Sequence, residues 1–238
     1  MSTFVHRYEL DTSRPSGKQA ARDLAVRALA PAVGLWCLIV GIGFLIVEPL
    51  GDLPAGDGIE GWFAERRTPV LNTVTEWVGH LGMTQFVIAA TALTAIYLWW
   101  RTRQWWFAVV PALAVSLQAL IFLTSSLVVG RERPDVEKLD DAPPTSSFPS
   151  GHTGASAALW FTLALLAQRI ENRVLRWVVT VLCMIVPFAV GVSRLYRGMH
   201  GPADVAAGLL NGAVCVVLAW GYLRRDTRRG AAGAGRQD

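Results

Sequence analysis

Four residues of the chain combine side-chain types that handle oxyanions: the histidines His152 and His200 and the arginines Arg133 and Arg194. An arginine carries a permanent charge on a fork of donors that fits a tetrahedral oxyanion. Because Asp204 follows His200 by four residues, its carboxylate can reach back to the imidazole, fix its tautomer and leave the other ring nitrogen free to attack. The two imidazoles can divide the work of nucleophile and general acid. The set predicts an arginine-lined phosphate pocket whose donors stabilise a phosphoryl group during transfer.

The stretch Pro149–His152 adds a second kind of anion-binding group. It comes directly before an apolar block, so we expect a helix to begin there, with its first backbone N–H groups at the positive end of the helix dipole. Gly151 has no side chain to block the close approach of an anion. The sequence therefore predicts that Ser150 and Gly151 bind phosphate beside His152.

No pattern of metal ligands accompanies these residues in the sequence. The nearest acidic residues precede Pro149 in the same loop: Asp135, Glu137, Asp140 and Asp141. Their spacing is not typical of a Mg²⁺ site, and we interpret them as a solvated face of the loop. The sequence predicts a site with no metal and no cofactor.

Long uncharged apolar blocks must position these groups. The chain is 53% hydrophobic and only 17% charged, and a membrane-spanning helix needs about 20 apolar residues. Six blocks qualify, of which the fourth is the shortest: Leu29–Val47, Thr84–Trp100, Trp105–Val129, Thr153–Leu166, Leu175–Val192 and Val205–Leu223. They predict an all-α fold, an integral membrane bundle of six helices. The stretch with Arg133 then follows the third span, the stretch Pro149–His152 precedes the fourth, and the stretch from Arg194 to Asp204 joins the fifth to the sixth. All three therefore lie on the same side of the membrane.

The distribution of Lys and Arg predicts the orientation of these spans. If the N-terminus is cytoplasmic, most of the 22 basic residues lie in cytoplasmic segments. Because Lys and Arg are enriched in the cytoplasmic loops of membrane proteins, this distribution favours a topology with both termini inside (N-in, C-in). The site would then face the outside of the cell inner (plasma) membrane. The net charge of +4 is accounted for by inner-surface anchors, so we expect the bilayer as a partner and no nucleic acid. The sequence carries no signal for an oligomeric state.

These residues resemble the three-part signature of the type 2 phosphatidic acid phosphatase (PAP2) superfamily, which reads Lys-x6-Arg-Pro, Pro-Ser-Gly-His and Ser-Arg-x5-His-x3-Asp. The second part is complete at Pro149–His152, and the third is complete within Ser193–Asp204 with both spacings intact. The first part is partial, because Arg133 is followed by proline but Ser126 occupies the lysine position. The predicted number of spans, six, and the positions of the motifs after the third span, before the fourth and between the fifth and sixth are also similar to those of the bacterial members of the family.

The resemblance implies a role for each matching residue. His200 would attack phosphorus and form a phosphohistidine, and Asp204 would orient it. His152 would protonate the leaving group and then activate the water that hydrolyses the intermediate. The phosphoryl oxygens would be held by Arg133, Arg194, Ser150 and the backbone N–H of Gly151.

Ser126 is a departure from the family pattern, because it removes one cationic phosphate contact. Arg131 is a candidate substitute, but only if the helix that contains Ser126 has ended by Gly130, since otherwise Arg131 faces away from Arg133. Lys138 and Arg197 are weaker candidates.

The resemblance also implies a domain organisation. Residues 1–28 form a cytoplasmic N-terminal segment, residues 29–223 form the membrane phosphatase domain, and residues 224–238 form a basic, disordered cytoplasmic tail. Within the domain, residues 51–83 lie on the outer interface as short amphipathic pieces.

The function that we expect is that of a metal-independent membrane lipid phosphatase acting on a phosphomonoester or pyrophosphate. Phosphatidic acid, phosphatidylglycerol phosphate and polyprenyl diphosphate present the same reacting group, so the sequence leaves the lipid substrate open. Two alternatives remain. One is a lipid phosphotransferase on the same scaffold, and the other is a non-catalytic lipid-phosphate binding protein, which Ser126 motivates.

Overall fold

A computed structural model describes residues 3–47, 55–142 and 144–226, and within these ranges the chain is helical with no strand. A π-helical turn, Ala25–Leu29, joins the second helix to the third. The helices are α1 (Arg7–Leu10), α2 (Gly17–Leu24), α3 (Ala30–Val47), α4 (Ala55–Glu65), α5 (Pro69–His80), α6 (Thr84–Thr102), α7 (Trp105–Ala108), α8 (Val110–Val129), α9 (Gly151–Ala167), α10 (Arg173–Tyr196) and α11 (Pro202–Trp220). The predicted all-α class is confirmed.

Four helical stretches of the described residues are long and apolar enough to cross a bilayer: Gly17–Val47, Trp105–Val129, Arg173–Tyr196 and Pro202–Trp220. Helices α5 and α6 meet at an angle of 42°, and the bent pair is either a broken fifth span or a re-entrant loop. Helix α9 corresponds to the predicted fourth span, but its 17 residues fall short of the usual spanning length of about 20. The structure therefore supports four or five spans by length and composition, against the six that the sequence predicted.

Small residues let α9 and α11 pack closely at the centre of the bundle. A Cβ atom on Gly212 of α11 would lie 2.5 Å from the Ala157 side chain of α9, and one on Gly208 would lie 2.6 Å from the Ser150 carbonyl oxygen. Such glycines allow helix backbones to approach each other in membrane bundles. This packing brings the start of α9 beside the start of α11, where the Ser150 N–H donates to the Asp204 carbonyl at 2.9 Å.

The described part of the N-terminal segment packs against the far end of α11. The Tyr8 hydroxyl donates to the Trp220 carbonyl at 3.0 Å, and the Tyr8 ring stacks on Phe107 at 4.6 Å between centroids. At the C-terminal end of α9, Arg169 donates to the Val5 carbonyl at 2.9 Å. The N-terminal segment and the end of α11 therefore lie at one end of the bundle. The predicted disordered tail falls mostly on residues 227–238, outside the described residues.

The predicted interfacial segment, residues 51–83, contains α4 and α5, and its first four residues lie outside the described ranges. Thr68 caps α5 by accepting the Leu71 N–H at 3.2 Å. The Tyr196 hydroxyl at the end of α10 accepts from the Thr68 N–H at 3.1 Å and donates to Asn72 Oδ1 at 2.8 Å. These bonds fasten α5 to the end of α10.

Candidate active site

The structure brings together the four residues on which the sequence argument was built. His152, His200, Arg133 and Arg194 line one cavity of about 350 Å³. The cavity lies at the end of the bundle where α8 ends, α9 begins, α10 ends and α11 begins. Residues separated by up to 67 positions in the sequence therefore face a common space.

The hydrogen bond of His200 determines its tautomer. Its Nδ1 atom lies 2.7 Å from the Ser147 carbonyl oxygen. A carbonyl oxygen only accepts hydrogen bonds, so Nδ1 carries the proton and Nε2 keeps its lone pair. The ring thus has an unprotonated nitrogen available for attack on phosphorus.

Asp204 supports this arrangement indirectly, which differs from the direct contact expected from the spacing. Its Oδ2 atom lies 3.9 Å from His200 Nδ1, which is too far for a hydrogen bond. Instead Oδ2 accepts from the Ser147 hydroxyl at 2.6 Å and from the Gly201 N–H at 2.8 Å. Because α11 begins at Pro202, one residue after Gly201, the carboxylate is close enough to cap its own helix. Asp204 therefore holds Ser147 in place, and the Ser147 carbonyl in turn orients the His200 imidazole.

Arg131 does not line the cavity as a substitute for the missing lysine. Helix α8 ends at Val129, and Gly130 has a left-handed φ of 65°, so the condition set for Arg131 is met. Its guanidinium, however, donates to Asp204 Oδ1 at 2.5 Å. Ser126 is buried and donates to the Leu123 carbonyl of its own helix at 3.1 Å. The cavity-lining cations are Arg133 and Arg194.

Arg194 is held at the cavity wall by Asp140. Its Nη1 atom donates to Asp140 Oδ2 at 3.0 Å, and its Nη2 atom donates to the Ser193 hydroxyl at 3.2 Å. Arg197 binds the other oxygen of the same carboxylate, because its Nη2 atom donates to Asp140 Oδ1 at 2.6 Å. Burial alone would raise the pKa of Asp140, but the hydrogen bond from Arg197 and the charge of Arg194 hold that pKa below its usual value. The interpretation of Asp140 as part of a solvated loop face was wrong.

Arg133 connects two loops across the cavity. Its Nη1 atom donates to the Met199 carbonyl at 2.7 Å, and its Nη2 atom donates to the Thr145 carbonyl at 3.3 Å. Two of its five N–H donors are used in this way, and the others remain for an oxyanion in the cavity.

Both imidazoles are neutral at physiological pH in the protein alone. Burial, with a contribution from the charge of Arg194, lowers the pKa of His152 to about 4. Burial and the charge of Arg133 lower the pKa of His200 to about 3. At neutral pH the positive charge of the cavity therefore resides on the guanidinium groups, and the rings are available as bases.

Ser150 and Gly151 are placed differently from the prediction. The Ser150 hydroxyl is buried and lies 2.9 Å from the Thr153 hydroxyl. A Cβ atom on Gly151 would lie 2.7 Å from the Phe122 ring, so this glycine makes room for α8. The Ser150 N–H donates to the Asp204 carbonyl, so the donors at this end of α9 are the backbone N–H groups of its first residues, which have no partner within the helix.

Helices α5 and α6 provide a wall of the cavity that the sequence did not predict. This wall consists of Glu76, Gly79, His80, Met83, Thr84 and Gln85. A Cβ atom on Gly79 would collide with Arg194 Nη2, and one on Gly82 would lie 2.6 Å from the His152 carbonyl oxygen. A signal was available in the two glycines flanking His80, because glycines in an otherwise amphipathic helix indicate close packing.

Across the described ranges, no group of three or more His, Cys, Asp or Glu side chains is arranged to hold a metal ion. The polar groups that line the cavity are the guanidinium groups of Arg133 and Arg194, the imidazoles and three carboxylates, Glu76, Asp140 and Asp141, and Asp140 is paired with Arg194. Chemically, such a set can bind a tetrahedral oxyanion, attack it with His200 Nε2 and exchange a proton with it through His152.

A family model described as the PAP2 superfamily matches residues 108–228, which is just over half of the 238 residues. The matched region extends from α7 to beyond α11 and includes every cavity-lining histidine and arginine named above except His80.

Curated relatives are similar over parts of the chain. The bacitracin transport permease protein BcrC of Bacillus licheniformis is 36% identical over 36% of this chain and 37% of its own length. Phosphatidylglycerophosphatase B of Bacillus subtilis is 25% identical over 66% of this chain and 77% of its own length. Lipid A 1-phosphatase of Rhizobium johnstonii is 28% identical over 70% of this chain and 64% of its own length. The chain thus spans little more than a third of the first relative and just under two thirds of the third.

Two solved structures share the fold. The transmembrane PAP2-type phosphatidylglycerolphosphate phosphatase from Bacillus subtilis matches with a TM-score of 0.70 at 23% identity, over 79% of this chain and 93% of that one. LpxE from Aquifex aeolicus matches with a TM-score of 0.55 at 23% identity, over 71% of this chain and 96% of that one. Both similarities concern the helical architecture.

Proposed function

The chain belongs to the PAP2 superfamily, and from that premise we propose that it is a membrane lipid phosphatase that uses His200 as its nucleophile and needs no metal ion. The observation that carries the proposal is the convergence of His152, His200, Arg133 and Arg194 on one cavity. Two guanidinium groups and a helix N-terminus supply the positive charge that a phosphoryl group needs in its transition state.

In the first step, Nε2 of His200 forms a bond to phosphorus while the bond from phosphorus to the lipid oxygen breaks. His152 gives its proton to the departing oxygen. The pKa of His152 is about 4 in the protein alone, and the negative charge of a bound phosphate raises it, so that the ring becomes protonated together with substrate binding. The products of this step are the dephosphorylated lipid and a phosphohistidine.

In the second step, His152 is neutral and accepts a proton from water as the water oxygen attacks phosphorus. The bond between phosphorus and Nε2 breaks, and inorganic phosphate leaves. Throughout, the Ser147 carbonyl oxygen, 2.7 Å from Nδ1, stabilises the positive charge that develops on the ring of His200. Asp204 acts as a positioning residue through its 2.6 Å bond with the Ser147 hydroxyl.

We place the site at the outer face of the cell inner membrane, within six spans that have both termini inside. The site lies at the N-terminal end of α9, and the N-terminal segment contacts the other end of that helix through Arg169. Helix α9 is about 25 Å long at 1.5 Å per residue, so the site and the termini are separated by most of a bilayer core. The excess of basic residues near the termini supports an inner location for that end.

The activities of the relatives favour a lipid phosphomonoester or pyrophosphate as substrate, because one relative is a phosphatidylglycerophosphatase and another is a lipid A 1-phosphatase. Phosphatidic acid, phosphatidylglycerol phosphate and a polyprenyl diphosphate are the candidate substrates. Product analysis separates hydrolysis from phosphoryl transfer to a second lipid, and a binding protein would give saturable binding without turnover.

The test is phosphate release by the purified full-length protein from each of the three lipids in the presence of EDTA. Wild-type protein is expected to release phosphate from at least one of them. His200→Ala should lower that rate on the order of 10³-fold or more, since it removes the nucleophile. His6→Ala is the matched control, because His6 lies in the N-terminal segment beside Glu9 and should retain the full rate. Turnover by His200→Ala at the wild-type rate would exclude His200 as the nucleophile.

A further inference from the structure

A cavity at the end of the bundle away from the active site has a strongly cationic wall. It measures about 500 Å³ and lies beside α2 and the π-helical turn that leads into α3. Four cations line it, Lys18, Arg22, Arg27 and Arg224, together with one carboxylate, Asp23. The wall therefore carries an excess of positive charge that the phosphatase reaction does not use.

Tertiary contacts bring these cations together from the two ends of the chain. The Arg224 N–H donates to Asp23 Oδ2 at 2.8 Å, and Arg27 Nε donates to the Gly221 carbonyl at 3.1 Å. Because Gly221 directly follows α11, these two bonds fasten α2 and the π-helical turn to the chain beyond α11. The cavity is therefore a hollow between two segments rather than the exposed face of one helix.

The protein itself does not balance the charge of this hollow. Among the described residues, neither Lys18 nor Arg22 takes part in an ion pair. The two are four residues apart on α2, a spacing at which like charges on a helix repel each other. An anion in the hollow would relieve this repulsion and accept hydrogen bonds from the ammonium and guanidinium groups. The cavity therefore fits a negatively charged ligand.

The place of the cavity along the first span indicates which anion it takes. Helix α2 is continuous with the apolar stretch that crosses the bilayer, Gly17–Val47, and Val26, which is 63% exposed, lines the same cavity. Charge thus gives way to apolar surface here, as at the level of lipid headgroups. We propose that the cavity binds the headgroup of an anionic phospholipid and that the bound lipid links α2 to Arg224. This binding is independent of the proposed phosphatase activity.

The test titrates the purified full-length protein in detergent with dioleoyl phosphatidylglycerol, which is anionic, and with dioleoyl phosphatidylcholine, which is zwitterionic. The melting temperature should rise at a concentration of the anionic lipid about tenfold lower. The double variant Lys18→Gln/Arg22→Gln should lose about tenfold or more in affinity for the anionic lipid, since two charges near the headgroup are removed. Its phosphate release in phosphatidylcholine should equal that of the wild type. Equal stabilisation of the wild type by both lipids, or a preference retained by the double variant, would overturn the proposal.

The matched control is Arg14→Gln/Arg173→Gln, which removes the same charge from two exposed residues that do not line the cavity. It should keep the preference for the anionic lipid, and an equal loss in this control would show that surface charge in general attracts the lipid, against the proposal.

A second variant, Arg224→Gln, tests the opposite wall of the cavity and should weaken binding of the anionic lipid about fivefold. It also decides the question if the double variant does not fold. Inorganic phosphate provides the last arm. Stabilisation of the wild type by millimolar phosphate that matches the effect of the lipid and is lost in Arg224→Gln would identify a soluble anion as the ligand and refute the lipid assignment.

Discussion

The protonation states of the two histidines depend on where the fold places them. His152 and His200 face the same cavity as two guanidinium groups, and burial removes the water that would stabilise an imidazolium. Their pKa values of about 4 and about 3 lie below the ordinary value of about 6.5. At neutral pH His200 is therefore unprotonated and can act as a nucleophile, and His152 gains its proton only together with an anion.

These pKa values predict a specific effect of pH on stability. Between about pH 6.5 and pH 4 the unfolded chain binds protons at His152 and His200 that the folded protein does not, so the stability falls as the pH is lowered through this window. The melting temperature of the wild type in detergent should decrease across this range. His152→Gln should show a shallower decrease, because one of the two groups is gone. An identical pH dependence in the variant would show that His152 is not held neutral by the fold.

At the scale of the elements, the C-terminal end of α5 helps to position Arg194. Gly79 lies directly against the Arg194 guanidinium, and the Ser193 hydroxyl donates to the Thr75 carbonyl of α5 at 2.7 Å. Helix α5 thereby sets the position of one of the two arginines. Part of the segment 51–83, which the sequence predicted to lie on the outer interface as short amphipathic pieces, thus also forms a wall of the cavity.

Gly79→Ala should displace the Arg194 side chain and leave the helices in place. The added methyl group meets the far end of a flexible side chain, so the melting temperature should change little, while kcat/KM should fall about tenfold or more because a phosphate-binding donor is misplaced. Gly61→Ala is the matched control, since a Cβ atom on that glycine of α4 meets nothing within 4 Å. Phosphate release and thermal unfolding measure the two effects, and full activity in Gly79→Ala would contradict the role assigned to the end of α5.

Sequence motifs could identify only some of the residues that form the site. His152, Arg133 and Arg194 belong to stretches whose residue types imply phosphate chemistry, so they could be predicted. The contribution of Ser147 is made by a backbone carbonyl, which no residue type signals. The pairing of Arg131 with Asp204 depends on the angle at which the chain leaves α8 at Gly130, and this angle is set by tertiary packing.

At the scale of the whole molecule, long apolar blocks predicted an all-α membrane protein because a bilayer requires every backbone group to be bonded within its own segment. The number of spans was harder to predict. Helix α9 is short and is held at the centre of the bundle by close contacts with Gly208 and Gly212, so its position depends on neighbours more than on its own length. That central position is also what carries His152 to the cavity.

The central claim is that four residues distant in sequence act together to transfer a phosphoryl group to His200, and trapping the intermediate tests it most directly. The protein is mixed with phosphatidic acid labelled on phosphorus, quenched within a turnover and digested. We expect label that is stable in alkali and labile in acid on the peptide containing His200, in the wild type and in His6→Ala. His152→Ala should form the label more slowly and also lose it more slowly during a chase with unlabelled lipid, because His152 assists both steps. Turnover without any labelled protein, or label that persists in His200→Ala, would contradict the account.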